Sequence, residues 1–184
     1  MTGVRGGQFT DPAGVDVDRW SAPTPCTGWD IRKIVNCLVS GSLNVAALVR
    51  DEPRPDRSPE QVTGDPVAAY RSATATMRAA FAEPGVLEQV YQSPIGPVPG
   101  SVIVHLRISE LLIHGWDIAR ATGQPTDLDP ELGQASLAWA RQNLVPELRG
   151  DEDGGYAFGP EVPVSDTAPL HDRLAAFFGR DPRG

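Results

Sequence analysis

The sequence predicts a single, mainly α-helical domain whose helices pack as a bundle. Apolar residues recur at helical spacing in several segments, two Asp-Pro pairs have the form of helix starts, and Pro- and Gly-rich stretches separate the segments. A chain of 184 residues, of which 40% are hydrophobic, is long enough to bury one core. We therefore expect residues 1–184 to form one domain.

The first long helix is expected at about 30–50. Two prolines hold the chain before it extended, and Thr27 with Asp30 matches a capping box in front of an apolar run. The residues before this segment, 1–20, are rich in glycine and weakly periodic, so we expect them to be mostly irregular. Helical spacing relates the apolar positions Ile31, Ile34, Leu38, Val45 and Leu48.

Three further long helices and a short terminal one are expected downstream, joined by polar loops. Asp65-Pro66 and Asp129-Pro130 each place a capping residue before a proline at the first helical position, and Gly123 is placed to end the longest helix. A short strand is expected within 86–93, and the residues from there to 100 are expected to be loop. The helices are predicted at about 66–82, 101–121, 130–148 and 169–178.

Charge and composition exclude several classes of partner. The chain carries 24 acidic against 16 basic residues, a net charge of −8, and its longest basic run has two residues. This balance argues against nucleic acid and against an anionic membrane surface as partners. No segment approaches the ~20 apolar residues of a membrane span, and the N-terminus lacks the apolar core of a signal peptide. We expect a cytoplasmic protein with a small-molecule partner.

The helix at 101–121 carries the residues most suited to metal binding or catalysis. Glu110, His114 and Asp117 fall on one side of it, at i, i+4 and i+7. The helix is apolar nearly all round, which is typical of a buried helix, and a buried carboxylate needs a partner or a metal. A Glu and a His one turn apart suit two metal ligands or an acid/base pair. An ordinary ion pair would also explain the spacing.

Other candidate residues have two interpretations each. Cys37 is either a small buried hydrophobe or a thiolate that reaches the Glu/His pair and completes a zinc site with an open position. Asp117 either orients the histidine or forms an ion pair with Arg120, three residues later. The remaining two histidines lack a chemical partner in the sequence. We expect His105 to be structural or exposed, and His171 to be solvated or to cap a helix.

Three segments together resemble a known family. They are PTPCTGWDIRKIVNCLVSG, HGWDIARATGQP and FGPEVPVSDTAPLHDRLAAFFGRDP. They are similar to segments of the DinB-like family, and more closely of its branch related to mycothiol-dependent maleylpyruvate isomerase. The likeness covers about residues 20–182. It implies a four-helix bundle, a bound divalent metal such as zinc, and a thiol cofactor, mycothiol.

The resemblance also implies a set of metal ligands, and here the chain departs from the family. The family uses a His on its second helix together with a Glu and a His four apart on a later helix. Glu110 and His114 match that pair, whereas the family pattern V-N-H reads Val35-Asn36-Cys37 in this chain. The resemblance therefore assigns the metal to Cys37, Glu110 and His114.

A second departure concerns the first helix of the family. Only about twenty residues precede the PTPC motif, so we expect that helix to be shortened or missing. Apolar faces of the other helices would then need cover, most simply from a second copy of the chain. We accordingly predict a homodimer.

Three functions follow from these observations. The resemblance implies a divalent-metal-dependent, mycothiol-linked isomerase or transferase that acts on a small molecule. The alternative is a metal-free enzyme of specialised metabolism, in which Glu110 and His114 form a catalytic acid/base pair and Asp117 orients the histidine. A further alternative is a small-molecule binding module without turnover.

Overall fold

Five α-helices and one antiparallel pair of short strands form the described part of the chain. The structure is a computed structural model and describes residues 12–55, 62–93, 96–144, 146, 149–150 and 158–184. The helices are α1 (Ile31–Val49), α2 (Pro66–Phe81), α3 (Gly100–Thr122), α4 (Pro130–Asn143) and α5 (Leu170–Phe177). The strands are β1 (Val90–Ser93) and β2 (Gly96–Pro99). The mainly α-helical class is confirmed, and a four-helix bundle in the strict sense stays a prediction.

Helix α3 lies between two groups of helices. On one side, α1 and α2 bury an apolar cluster that includes Ile34, Leu38 and Tyr70 and reaches Ile118 of α3. On the other side, α4 and α5 pack against Leu112 and Ile113. Contact on both sides explains why α3 is apolar nearly all round, as the sequence indicated. The polar side chains in the buried middle of α3 therefore lie close to another helix.

The start of α1 differs from the predicted capping box. Asp30 is the N-cap, and its carboxylate accepts a hydrogen bond of 2.7 Å from the backbone N–H of Lys33. Thr27 instead lies in a tight turn, where the next residue, Gly28, has a φ of 76°. Glycine adopts this left-handed conformation without strain. The capping box was therefore wrong, because the chain is still turning at Thr27.

Two other boundaries also differ from the prediction. Helix α4 ends at Asn143 instead of about 148, since the chain becomes extended at Leu144 shortly before Pro146. The predicted strand is shorter, and its partner β2 occupies residues expected to be loop. β2 contains two prolines, which a two-stranded ribbon tolerates because one edge of each strand makes no ladder hydrogen bonds.

The segment before α1 covers part of the core without forming an α-helix. Residues 12–30 contain two single-turn 3₁₀ helices, and Val15, Trp20 and Cys26 pack against α1. A full first helix is therefore absent from these described residues. The large apolar side chains with substantial exposure in the described ranges are few and scattered: Val17, Leu87 and Val90. The expected bare apolar face is not seen there, and the homodimer stays a prediction.

Within the described residues, one helix meets the length and composition of a membrane span. Helix α1 reaches a mean hydropathy of 1.2 over 18 residues, and 56% of that window is buried inside the protein. A core helix of a globular domain has the same properties, so this observation is weak evidence for a membrane.

Candidate metal centre

Three potential metal ligands meet between α1 and α3. Cys37 comes from α1, whereas Glu110 and His114 lie one turn apart on α3. Their donor atoms all lie within 4.8 Å of one another, and Cys37 Sγ is 3.6 Å from Glu110 Oε1. His114 is buried and the other two are partly exposed. The fold thus brings together the three residues that the sequence singled out as ligands.

The donor set fits a zinc ion. A tetrahedral zinc with bonds of about 2.3 Å to sulfur and about 2.0 Å to oxygen places those two atoms about 3.5 Å apart. The observed separation between Cys37 Sγ and Glu110 Oε1 is 3.6 Å. Thiolate, carboxylate and imidazole are ordinary zinc ligands, and three protein ligands leave a position for substrate. The Glu110 side chain is one-third exposed, so solvent reaches this ligand.

A buried arginine holds one oxygen of Glu110. Arg107 is 3% exposed, and its Nη1 lies 2.5 Å from Glu110 Oε2. Burial would raise the pKa of Glu110, but the charges of Arg107 and His114 and the hydrogen bonds from Arg107 and Cys37 hold this pKa below its usual value. Glu110 is therefore a carboxylate at neutral pH. Arg107 was not among the site residues predicted from the sequence, although an Arg three residues before a Glu on an apolar helix is a usable signal.

Asp117 orients the histidine of the site. Its Oδ2 lies 3.0 Å from His114 Nδ1, and the carboxylate is fully buried. This contact assigns the proton to Nδ1 and leaves Nε2 as the nitrogen available to a metal. Arg180, from the segment after α5, donates hydrogen bonds to both oxygens of Asp117.

Of the two interpretations of Asp117, the ion pair with Arg120 is not the one that the structure shows. Arg120 lies at the exposed end of α3, where it donates hydrogen bonds to the carbonyl groups of Pro182 and Gly184. Its guanidinium also lies 5.5 Å from the centroid of the Trp116 ring. Asp117 is buried one turn earlier and faces His114, so its cationic partner comes from outside α3.

The indole ring of Trp29 packs against the histidine of the site. The Trp29 ring stacks on His114 with a centroid distance of 5.7 Å and an interplanar angle of 14°. Lys33 Nζ lies 4.6 Å from the centroid of the same indole. Trp29 was not predicted to be part of the site, because its contact with His114 depends on how the turn before α1 folds against α3.

The other two histidines lie apart from the ligand set. His105 stacks on Trp139 at 4.7 Å between ring centroids, which is a structural role. His171 was expected to be solvated or to cap a helix, but it is 4% exposed. Its ring packs against Gly133, where a β-carbon would lie 2.9 Å from Nε2. The expectation of a solvated or capping histidine was wrong, because α5 packs closely on α4 at Gly133 and this contact buries the His171 ring.

Comparison with known proteins assigns the family. The family model described as the mycothiol maleylpyruvate isomerase N-terminal domain matches residues 11–119, which include all three candidate ligands. An uncharacterized protein of Mycobacterium tuberculosis, in strains CDC 1551 / Oshkosh and ATCC 25618 / H37Rv, is 39% identical over 171 residues, which are 93% of this chain and 90% of the relative. No solved structure matches the chain. The chain therefore belongs to the mycothiol maleylpyruvate isomerase N-terminal domain family.

Proposed function

We propose that this chain is a divalent-metal-dependent enzyme, an isomerase or transferase that uses a thiol cofactor of the mycothiol type on a small molecule. The observation that carries the proposal is the convergence of three zinc-compatible donor atoms within 4.8 Å. Cys37, Glu110 and His114 would hold the ion. The family name, which couples mycothiol to an isomerase, supports the choice of thiol and reaction.

The surrounding residues suit that chemistry. The contribution of a bound divalent ion is to lower the pKa of a thiol, which yields a nucleophilic thiolate near neutral pH. As metal ligands, Cys37 and Glu110 would together carry two negative charges, one more than a Glu with two neutral histidines. The guanidinium of Arg107 beside Glu110 offsets that additional charge. Asp117 keeps His114 in one orientation and one tautomer.

The metal-free alternative receives less support. Glu110 is tied to a buried guanidinium and its pKa is lowered, so it is a poor proton donor at neutral pH. The contact between His114 and Asp117 favours a different form of this alternative, in which His114 acts as a general base without Glu110 as its acid partner. A binding module without turnover would need neither the ion pair of Glu110 with Arg107 nor the contact of His114 with Asp117.

Location and assembly complete the proposal. The acidic net charge of −8 is compatible with a cytoplasmic protein that binds a small molecule and neither nucleic acid nor membrane. We also propose a homodimer with the four-helix bundle of the family. Sedimentation at micromolar concentration tests the assembly, and a monomeric mass would contradict it.

Metal content is the experiment that tests the function. The protein is purified without chelator or affinity tag and its zinc is measured for the wild type, Cys37→Ala and Cys26→Ala. We expect one zinc per chain in the wild type, retention in Cys26→Ala and loss in Cys37→Ala. Cys26 is the matched control because it is a buried cysteine outside the ligand set. Wild-type protein that takes up no zinc on incubation would contradict the proposal and favour the metal-free alternative.

A further inference from the structure

The guanidinium of Arg107 joins the two helices that carry the candidate ligands. It is almost completely buried, and a buried charge is costly unless it is paired and hydrogen-bonded. Nη1 contacts Glu110, and Nη2 donates to the carbonyl group of Leu38 and to Ser42 Oγ. Leu38 directly follows Cys37 on α1. One side chain therefore fixes Glu110 relative to the turn of α1 that bears the cysteine.

Helix α1 has a vacant side-chain position that admits this guanidinium. A β-carbon at Gly41 would collide with Arg107 Nη1 and would lie 3.1 Å from Cζ. Glycine inside a helix is unfavourable, so its presence in the middle of α1 needs a reason of this kind. Gly41 and Ser42 together form the place that receives Arg107, the glycine by leaving space and the serine by accepting a hydrogen bond.

The two oxygens of Glu110 have different partners as a result. Oε2 is held by Arg107 at 2.5 Å, and Oε1 faces Cys37 Sγ at 3.6 Å. A carboxylate can bind a metal through one oxygen or through both. With Oε2 committed to the guanidinium, only Oε1 is directed toward the cysteine and available to an ion.

We infer that Arg107 is a positioning residue that restricts Glu110 to a single ligand oxygen and thereby keeps a coordination position free for a small-molecule thiol or its substrate. The inference rests on the proposed metal function. It assigns to Arg107 a part in specificity, because a second glutamate oxygen would add a fifth ligand and crowd the position that an incoming ligand needs.

Cobalt(II) substitution tests this role without an activity assay. A thiolate ligand gives a near-ultraviolet charge-transfer band, and the visible d–d absorption is strong for a four-coordinate ion and weak when the coordination number is higher. We expect the wild type loaded with Co²⁺ to show both features. In Arg107→Met we expect loss of d–d intensity with the charge-transfer band retained, because the freed Oε2 joins the metal.

Arg120→Met is the matched control, since Arg120 lies on the same helix and contacts the C-terminal carbonyl groups instead of the site. It should leave both bands unchanged. If Arg107→Met does not fold, Gly41→Ala displaces the guanidinium while keeping every charge, and the same loss is expected. A d–d band that stays at wild-type intensity in the folded variant would overturn the inference. A wild type without cobalt binding or without the charge-transfer band would overturn the metal function itself.

Discussion

Arg180 donates hydrogen bonds to both oxygens of the Asp117 carboxylate, although 63 positions separate the two residues. Asp117 is fully buried, and its Oδ2 also contacts His114 Nδ1 at 3.0 Å. Arg180 follows α5 and lies outside the range 11–119 that the family model matches. The C-terminal segment therefore completes the support of a candidate ligand that belongs to the matched range.

The first prediction concerns the stability that this ion pair confers. Arg180→Met leaves the buried Asp117 carboxylate without its cation, and breaking a buried pair in this way costs about 3–5 kcal/mol. Urea denaturation of the wild type and the variant measures the loss of unfolding free energy. Arg183→Met is the control, because Arg183 pairs with Asp181 on the surface and we expect no resolvable change. Equal losses in both variants would contradict the assigned importance of Asp117.

The second prediction separates metal support from folding. Asp117→Asn keeps the size of the side chain but removes the charge that stabilises the Nδ1-protonated form of His114. We expect zinc affinity to fall by roughly 10–100-fold, as is typical when the partner of a histidine ligand is changed. Competition with a chelator measures the affinity. Asp181→Asn, at an exposed carboxylate, should bind zinc as the wild type does. Wild-type affinity in folded Asp117→Asn would show that the aspartate is only structural.

Local features of the fold and of the candidate site could be predicted from the sequence, because each depends on residues close together in one helix. Glu110 and His114 are four residues apart, so helical geometry alone places them on one face. Gly123, with a φ of 72°, ends that helix where the sequence predicted. Asp65 and Asp129 each cap a helix before a proline, again as predicted.

Features that depend on packing between distant segments could not be predicted in the same way. The approach of Cys37 to Glu110 spans 73 positions; the residues alone left it as one of two interpretations, and the family resemblance favoured it. The contacts of Trp29 with His114 and of Arg180 with Asp117 follow from how the turn before α1 and the C-terminal segment dock on α3. No periodicity encodes such docking, and from the sequence the nearby Arg120 was the one cation considered as a partner of Asp117.

The third prediction is a pH dependence of stability that originates at His171. Burial lowers its pKa below the usual value, and this effect exceeds the raising effects of the Asp129 backbone and of the charges of Asp127, Asp129 and Asp172. The unfolded chain therefore takes up a proton at this histidine at about pH 6.5, whereas the folded chain takes it up only at lower pH. The free energy of unfolding is therefore unaffected by this histidine above about pH 6.5, and it decreases as the pH falls below that value.

Urea denaturation on both sides of pH about 6.5 measures this dependence in the wild type and in His171→Gln. We expect the decrease toward acid pH to become shallower in the variant, since glutamine does not titrate. His171 lies between α4 and α5, outside the ligand set, so a metal-free preparation is suitable for the comparison. An unchanged dependence on pH in folded His171→Gln would contradict the assignment to this group.

The fourth prediction restores the ligand pattern of the family. Cys37→His replaces a thiolate by a neutral imidazole, which is an equally common zinc ligand, so we expect zinc to be retained where Cys37→Ala loses it. In the cobalt-loaded variant the near-ultraviolet charge-transfer band should disappear while the visible bands persist, because sulfur has left the ligand set. The ligands then carry one negative charge fewer while Arg107 remains beside Glu110, so affinity for the cation should be weaker than in the wild type. Elemental analysis and the two absorption regions together check this outcome. A folded Cys37→His variant that holds no zinc would mean that the spacing between α1 and α3 accepts only the cysteine, and that this chain has adapted its site to a thiolate ligand.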